Sequence, residues 1–321
     1  MAINLNSSSP TYLDNWIPIE WDSEVISRVM KTSSVEALAQ RHNMQTSTKR
    51  ILRQSGYNVT SGTQYTPDDG ELDYVILTAR RFMGQSVLDE DDLADTEMIV
   101  DTIAQRALDY ATSYATALDN ACLGVTAAEG AGADAKNKVP FTSVYRAIRN
   151  NGTGANDNYV ADDNYVNFNG QASGAYDAFS EALSLVEVSD YWDENNAYLI
   201  AHPAFRDILR RTKDDNGTPI FVQGQGIDSG QPDTLFGVPI FWSRGAKTSA
   251  AMSDKPSGNP LLVFVGDRNL MKLGVRSGPE SRLDVSTAHH DVDDTAVKFR
   301  TRRGFQIGRL EAFSVLELNA A

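Results

Sequence analysis

The sequence predicts an α+β protein whose extensions outgrow its own core. Three observations carry this. The N-terminus runs polar and then aromatic, ending in "NWIPIEW" at residues 15–21. Residues 50–84 form a β-rich excursion broken by turn residues at Ser61-Gly62 and at Pro67-Asp68-Asp69-Gly70. Residues 96–123 then continue for 28 positions without glycine or proline.

In chain order, Trp16, Ile17, Ile19 and Trp21 are too many large apolar groups for a free terminus. Such an arm either folds back or meets a partner. Val25, Ile26, Val29, Val35 and Leu38 recur at helical spacing, and the intervening Thr32-Ser33-Ser34 predicts one broken or two short helices. The 50–84 excursion reads as a long hairpin with a return run from Leu72 to Met83. Its tip lacks the residues for a core of its own, so it must pack on something else.

The 96–123 segment is the strongest helix, rich in alanine, with Ile99, Ile103, Ala107, Tyr110, Tyr114, Ala117 and Ala121 on one stripe. It would extend roughly 40 Å. Asp95 or Thr96 is the expected cap, and the acidic "DEDDLAD" before it suits the positive helix start. That run lacks the glycine and terminal glutamate of a calcium loop. Residues 124–174 read as surface loops with a short element at 141–149. A helix through Phe179, Leu183 and Val186 follows, then a buried strand Tyr198–Ala201 and a helix from Pro203 to Lys213 ended by Gly217.

"DTLFGVPIFWS", residues 233–243, places a glycine turn and a proline inside the most apolar segment, which argues for an edge strand or a strand start. "PLLVFVGD" at 260–267 is another buried strand, and the last 45 residues alternate as long antiparallel strands.

The totals narrow the function. A formal net charge of −14 disfavours a free nucleic-acid-binding protein. The single cysteine, Cys122, excludes an intrachain disulfide and a zinc ribbon, and reads as a small buried apolar residue. No basic-then-apolar leader opens the chain, and no run approaches the about 18 apolar residues of a spanning helix, so a cytoplasmic product is expected.

Chemistry is sparse. His289-His290 cannot chelate one ion from a regular strand, because adjacent side chains point to opposite faces. There is no G-x-S-x-G elbow, and "GQGIDSG" at 224–230 has the wrong spacing for a phosphate loop. Two basic clusters stand out: Arg206, Arg210, Arg211 and Lys213, and Lys298, Arg300, Arg302, Arg303 and Arg309. They read as solvated faces and ion pairs, or as a contact with a polyanion. No catalytic residue, metal or cofactor is expected. A long arm, hairpin and helix suit assembly better than catalysis.

Six stretches, in order, resemble the major capsid proteins of tailed bacteriophages with the Hong Kong 97-type fold. They are "WIPIEWDSEVISRVMKTSSVEALAQR", "DYVILTARRFMGQSVLDEDDLAD", "AHPAFRDILRRTKDDNGTPIF", "TLFGVPIFWS", "FVGDRNLMKLGVRSG" and "RTRRGFQIGRLEAFSVLEL". The resemblance implies an N-terminal arm at 1–49 and an extended loop at 50–84. It implies a peripheral domain with the spine helix at 85–130, an axial domain at 131–275, and closing strands of the peripheral domain at 276–321. It implies pentamers and hexamers closing into an icosahedral shell, with intersubunit contacts at Trp16, Trp21, Tyr74, Arg80, Arg81, Phe82, Gly237 and Pro239.

The implied partners are further copies of the chain, packaged double-stranded DNA on the inner face, a portal, a separate scaffolding protein, and decoration or minor capsid proteins. The implied location is the virion capsid, with assembly in the host cytoplasm. Some family members crosslink through a lysine of the extended loop. No lysine lies between Lys49 and Lys136 here, so non-covalent maturation is expected. Two other readings stay open: an encapsulin-type compartment with the same fold, and a cytosolic enzyme using loops 214–232.

Overall fold

Strand β6 (Ala197–Ala201) and strand β9 (Leu261–Asp267) are apolar on both faces, as central strands must be when both faces are covered. In this computed structural model they lie side by side in a six-stranded sheet. The structure describes residues 32–54, 61, 72–89, 102–132, 138–150, 159–171, 174–213, 233–251, 260–284 and 294–318.

The earlier elements, in order, are helix α1 (Ser34–Leu38) and strands β1 (Gln40–Asn43), β2 (Thr48–Gln54), β3 (Leu72–Thr78) and β4 (Arg80–Asp89). Helix α2 (Thr102–Leu123) is the long one, followed by α3 (Val144–Asn150), β5 (Tyr165–Phe168) and α4 (Ala175–Glu187). After β6 come α5 (Phe205–Arg211), β7 (Thr234–Leu235) and β8 (Val238–Trp242). Beyond β9 run β10 (Met271–Asp284), β11 (Asp294–Ile307) and β12 (Phe313–Leu318).

The six-stranded sheet has the order β5-β12-β9-β6-β8-β7, a four-stranded sheet the order β1-β10-β11-β4, and β2-β3 form a two-stranded hairpin. The two larger sheets share one core. Alternate residues of the central strands, Tyr198, Ile200, Leu262, Phe264, Phe313 and Val315, pack with Leu118 and Cys122 of α2 and with Leu273, Phe305 and Ile307 of the four-stranded sheet. The opposite set, Leu199, Val263, Val265 and Leu316, packs under α4 and α5 against Phe179, Phe205 and Leu209. The period-2 alternation thus assigns each strand residue to one of two cores.

Several expectations are met in detail. The hairpin, the long helix and the buried strands at 197–201 and 261–267 are present. The expected helix start at 96, its cap, and the segments at 214–232 and 285–293 lie outside the described residues. Two segments differ. The return run expected from Leu72 to Met83 divides at Ala79, with β3 pairing to β2 and β4 to β11 in the four-stranded sheet. Within 124–174, read as loop apart from 141–149, Tyr165–Phe168 is a strand pairing in parallel with Val315–Leu318. Four residues are too short to show a period, and the partner is about 150 positions away by its register.

The apolar segment with a turn inside it resolves into a hairpin. Phe236 and Gly237 have φ of 53° and 82°, the two positive values that a two-residue type I′ turn demands. Pro239 then stands at a strand start. Ile240 donates its N–H to Asp233, and the parallel ladder with β6 begins only at Leu199↔Ile240. The proline's missing donor therefore falls where no ladder bond is due.

Candidate assembly surfaces and the junction behind them

The β2–β3 hairpin is fixed at one face and bare at the other. Its register pairs Arg53 with Asp73, Leu52 with Tyr74 and Arg50 with Ile76. Val75 and Leu77 face inward, at 8% and 0% exposure, while Leu52, Tyr74 and Ile76 face outward at 80%, 44% and 43%. Arg53 forms an ion pair with Asp73 at 2.5 Å and donates to the Gly308 carbonyl at 3.2 Å. Arg309 reaches back to the carbonyl of Gln54 at 2.9 Å. The Tyr74 N–H and the Arg53 guanidinium together hold the Asp73 carboxyl below its ordinary value. Arg50 lies over the Tyr74 ring, 4.7 Å from its centroid. The hairpin therefore presents an apolar outer stripe at a set angle.

Strand β4 is an edge of the four-stranded sheet. Met83 and Val87 project outward from it, each 48% exposed. A groove of about 330 Å³ separates it from α2, lined by Met83, Gly84, Arg106, Asp109 and Tyr110. Tyr110 stacks on Phe299 with centroids 5.0 Å apart and lies so close above Gly84 that a Cβ there would stand 2.8 Å from its ring.

The residues expected at subunit contacts divide accordingly. Tyr74 is on the bare hairpin face; Arg80 and Arg81 are exposed, with Arg80 paired to Glu129 at 2.6 Å. Gly237 is exposed at the turn and Pro239 half-buried. Trp16 and Trp21 lie outside the described residues. Phe82 is a correction. It is 3% exposed inside its own subunit, edge-on to Tyr114 at 5.7 Å and against Phe141 at 5.9 Å. It sits on the inward face of β4, so it is not a surface contact in this structure.

The basic clusters are largely engaged within the chain. Arg300 places Nε and Nη2 on Glu280 at 2.9 and 2.7 Å. Arg303 donates to Glu36 at 2.6 Å, and Tyr114 donates to the same Glu36 oxygen at 2.9 Å. Arg206 lies over the Trp242 ring at 4.5 Å, and Arg211 pairs with Asp207 at 2.8 Å.

Behind these surfaces is a polar junction that the sequence reading did not single out. Near the C-terminal end of α2, Asp119 is 2% exposed and accepts four hydrogen bonds. These come from the Ser33 hydroxyl at 2.5 Å, the Ser34 and Val35 N–H groups at 3.0 and 3.1 Å, and the Ser243 hydroxyl at 2.5 Å. Burial pushes the Asp119 carboxyl up from its ordinary value, against the pull of these donors. Next to it, Asn120 donates to the carbonyls of Gly245 and Lys247 at 3.1 and 2.9 Å and accepts from Ser249 at 2.5 Å. The available signal was the pair Asp119-Asn120 in the otherwise apolar "ALDNACL". Among the described residues no group of three or more His, Cys, Asp or Glu side chains is placed to hold a metal ion.

The chain resembles the capsid of a native GTA particle, with TM-score 0.67 and 18% identity over 99% of this chain and 100% of the other. A structure from Mycobacterium phage Bobi matches with TM-score 0.65 and 16% identity, over 96% of this chain and 98% of its own. One from Microbacterium phage Oxtober96 gives 0.63 and 15%, with the same coverage of 96% and 98%. No curated protein matches the chain. At these identities the structures establish a shared fold, the Hong Kong 97 type. The family model described as "Phage capsid family" matches residues 14–318, nearly the whole sequence, and the chain belongs to that family.

Proposed function

We propose that the chain is the major capsid subunit of a tailed double-stranded DNA bacteriophage, a structural protein and not a catalyst. Many copies associate as pentamers and hexamers and close into an icosahedral shell around the genome. The observation that carries this reading is the hairpin. Its inward face is held by Arg53 and Arg309, while Leu52, Tyr74 and Ile76 are exposed among the described residues. Such a stripe is completed by a neighbouring copy, and family membership supports that partner.

Within this reading the first part of the 1–49 arm and the 50–84 loop reach adjacent subunits, while Ser34–Asn43 stay with the subunit's own core and sheet, and the 131–275 region surrounds the capsomer axis. DNA lies on the inner face, a portal occupies one vertex, a separate scaffolding protein assists assembly, and decoration proteins bind outside. The protein resides in the virion after assembly in the host cytoplasm. Subunits join non-covalently, because residues 50–84 hold no lysine.

A second reading is favoured by the match to a GTA particle capsid over the full length of both chains, within a point of 100%. The shell would then belong to a particle of that kind. Electron microscopy of the purified full chain, with light scattering on the same sample, tests assembly. Closed shells or capsomer rings support it, and a monomer with and without scaffolding protein refutes it. Sequencing the nucleic acid in native particles separates the two readings.

A further inference from the structure

Helix α1 is a single turn, too short to set its own direction, since isolated helices below about 12 residues are marginal in water. Its orientation must come from elsewhere. The first two amide groups, Ser34 and Val35, donate to the two oxygens of Asp119 on α2. The third, Glu36, donates to the Ser33 hydroxyl at 3.1 Å, and the fourth, Ala37, to the Ser33 carbonyl at 3.2 Å. The Ser33 hydroxyl in turn donates to Asp119. The three helical amides left open at the start, Ser34, Val35 and Glu36, are thus satisfied by this carboxylate, directly or through the Ser33 hydroxyl, and Ala37 makes the first intrahelical bond.

The same carboxylate is held from its other side by Ser243, which follows β8 and continues its ladder by donating its N–H to Ala201 of β6 at 3.0 Å. Among the described residues no cation pairs with Asp119, so its bonds are the four donors alone. We infer that Asp119 is a positioning residue that fixes the orientation of α1 at its Ser33 start and holds it in register with the six-stranded sheet. Its consequence for shell geometry rests on the assembly reading; its effect on the subunit does not.

Asp119→Asn is the sharpest probe. An amide keeps one acceptor oxygen and replaces the other with an NH₂ donor. Each carboxylate oxygen now serves one α1 amide and one serine hydroxyl. In either flip, therefore, one α1 amide faces a donor and loses its partner. Hydrogen exchange on the unassembled full-length chain should speed at least tenfold at Ser34–Ala37, with β6 and β9 unchanged. Ser243→Ala touches α1 nowhere. It should nonetheless raise exchange at Ser34–Ala37 several-fold, by freeing the carboxylate from the sheet side, and it supplies the test if Asp119→Asn does not fold. Wild-type exchange at these amides in either variant overturns the proposal, as does a uniform loss of protection through β6 and β9. A wild-type chain that never forms shells defeats the assembly reading and leaves this result standing.

Discussion

Gly124 lies beneath the carbonyl of Lys247 so closely that a Cβ on it would stand 1.9 Å from that oxygen. At Gly245 a Cβ would meet the Asn120 nitrogen at 2.6 Å and the Asp119 Cβ at 2.7 Å. Helix α2 and the 243–249 segment are therefore joined at two points where only glycine fits, with the Asn120 bonds between them.

Gly124→Ala and Gly245→Ala should each destabilise the subunit by about 1–3 kcal/mol or more, because backbone and not a flexible side chain must move. Gly278→Ala, with nothing within 4 Å of the new methyl, should stay within about 0.5 kcal/mol. Urea unfolding of the three variants checks this, and equal midpoints would contradict it.

The Glu36–Arg303 pair ties α1 to β11, and Tyr114 of α2 shares its oxygen. Glu36→Gln should cost roughly 2 kcal/mol. That is below the ~3–5 kcal/mol of breaking a fully buried pair, because Glu36 keeps 24% exposure against 8% for Arg303. The loss is read from the thermal midpoint, and Glu36→Asp should not rescue it if reach matters.

Leu52→Gln and Ile76→Gln change exposed positions, so the subunit's unfolding free energy should move by no more than about 0.5 kcal/mol. Assembly should fail or slow at least tenfold by sedimentation velocity. Wild-type assembly in both variants would remove the hairpin stripe from the contact.

His202 gives a pH dependence. Burial first, then Lys247 and Arg244, pushes its imidazole down to about 4 from 6.5. Its Nδ1 accepts the Ala204 N–H at 3.2 Å, which protonation there would forbid. A base whose folded pKa is depressed supports the fold fully above 6.5 and loses that support as pH falls toward about 4. Between pH 7.5 and about 4.5 the wild-type melting temperature should therefore drop further than that of His202→Gln. Parallel drops would exclude the histidine as the cause.

Sequence alone determined what local pattern encodes. The α2 stripe, the alternation of the hairpin, the doubly apolar runs at 197–201 and 261–267, and the turn at Phe236-Gly237 are each set by residues within a few positions of one another. Their order along the chain, with six stretches that resemble one family, carried the fold and the assembly role. Tertiary structure alone decided which side each strand turns and which distant segments meet. Phe82 and Met83 are neighbours of similar character, yet one is in the core and the other in solvent, because the register of β4 on β11 chooses the face. Val315–Leu318 found partners in both β5 and β9 through ladders that no local period announces. Asp119 reads in sequence as one polar residue in a helix. Only the convergence of Ser33, Ser34, Val35 and Ser243, from two segments more than 80 positions away on either side, makes it a junction.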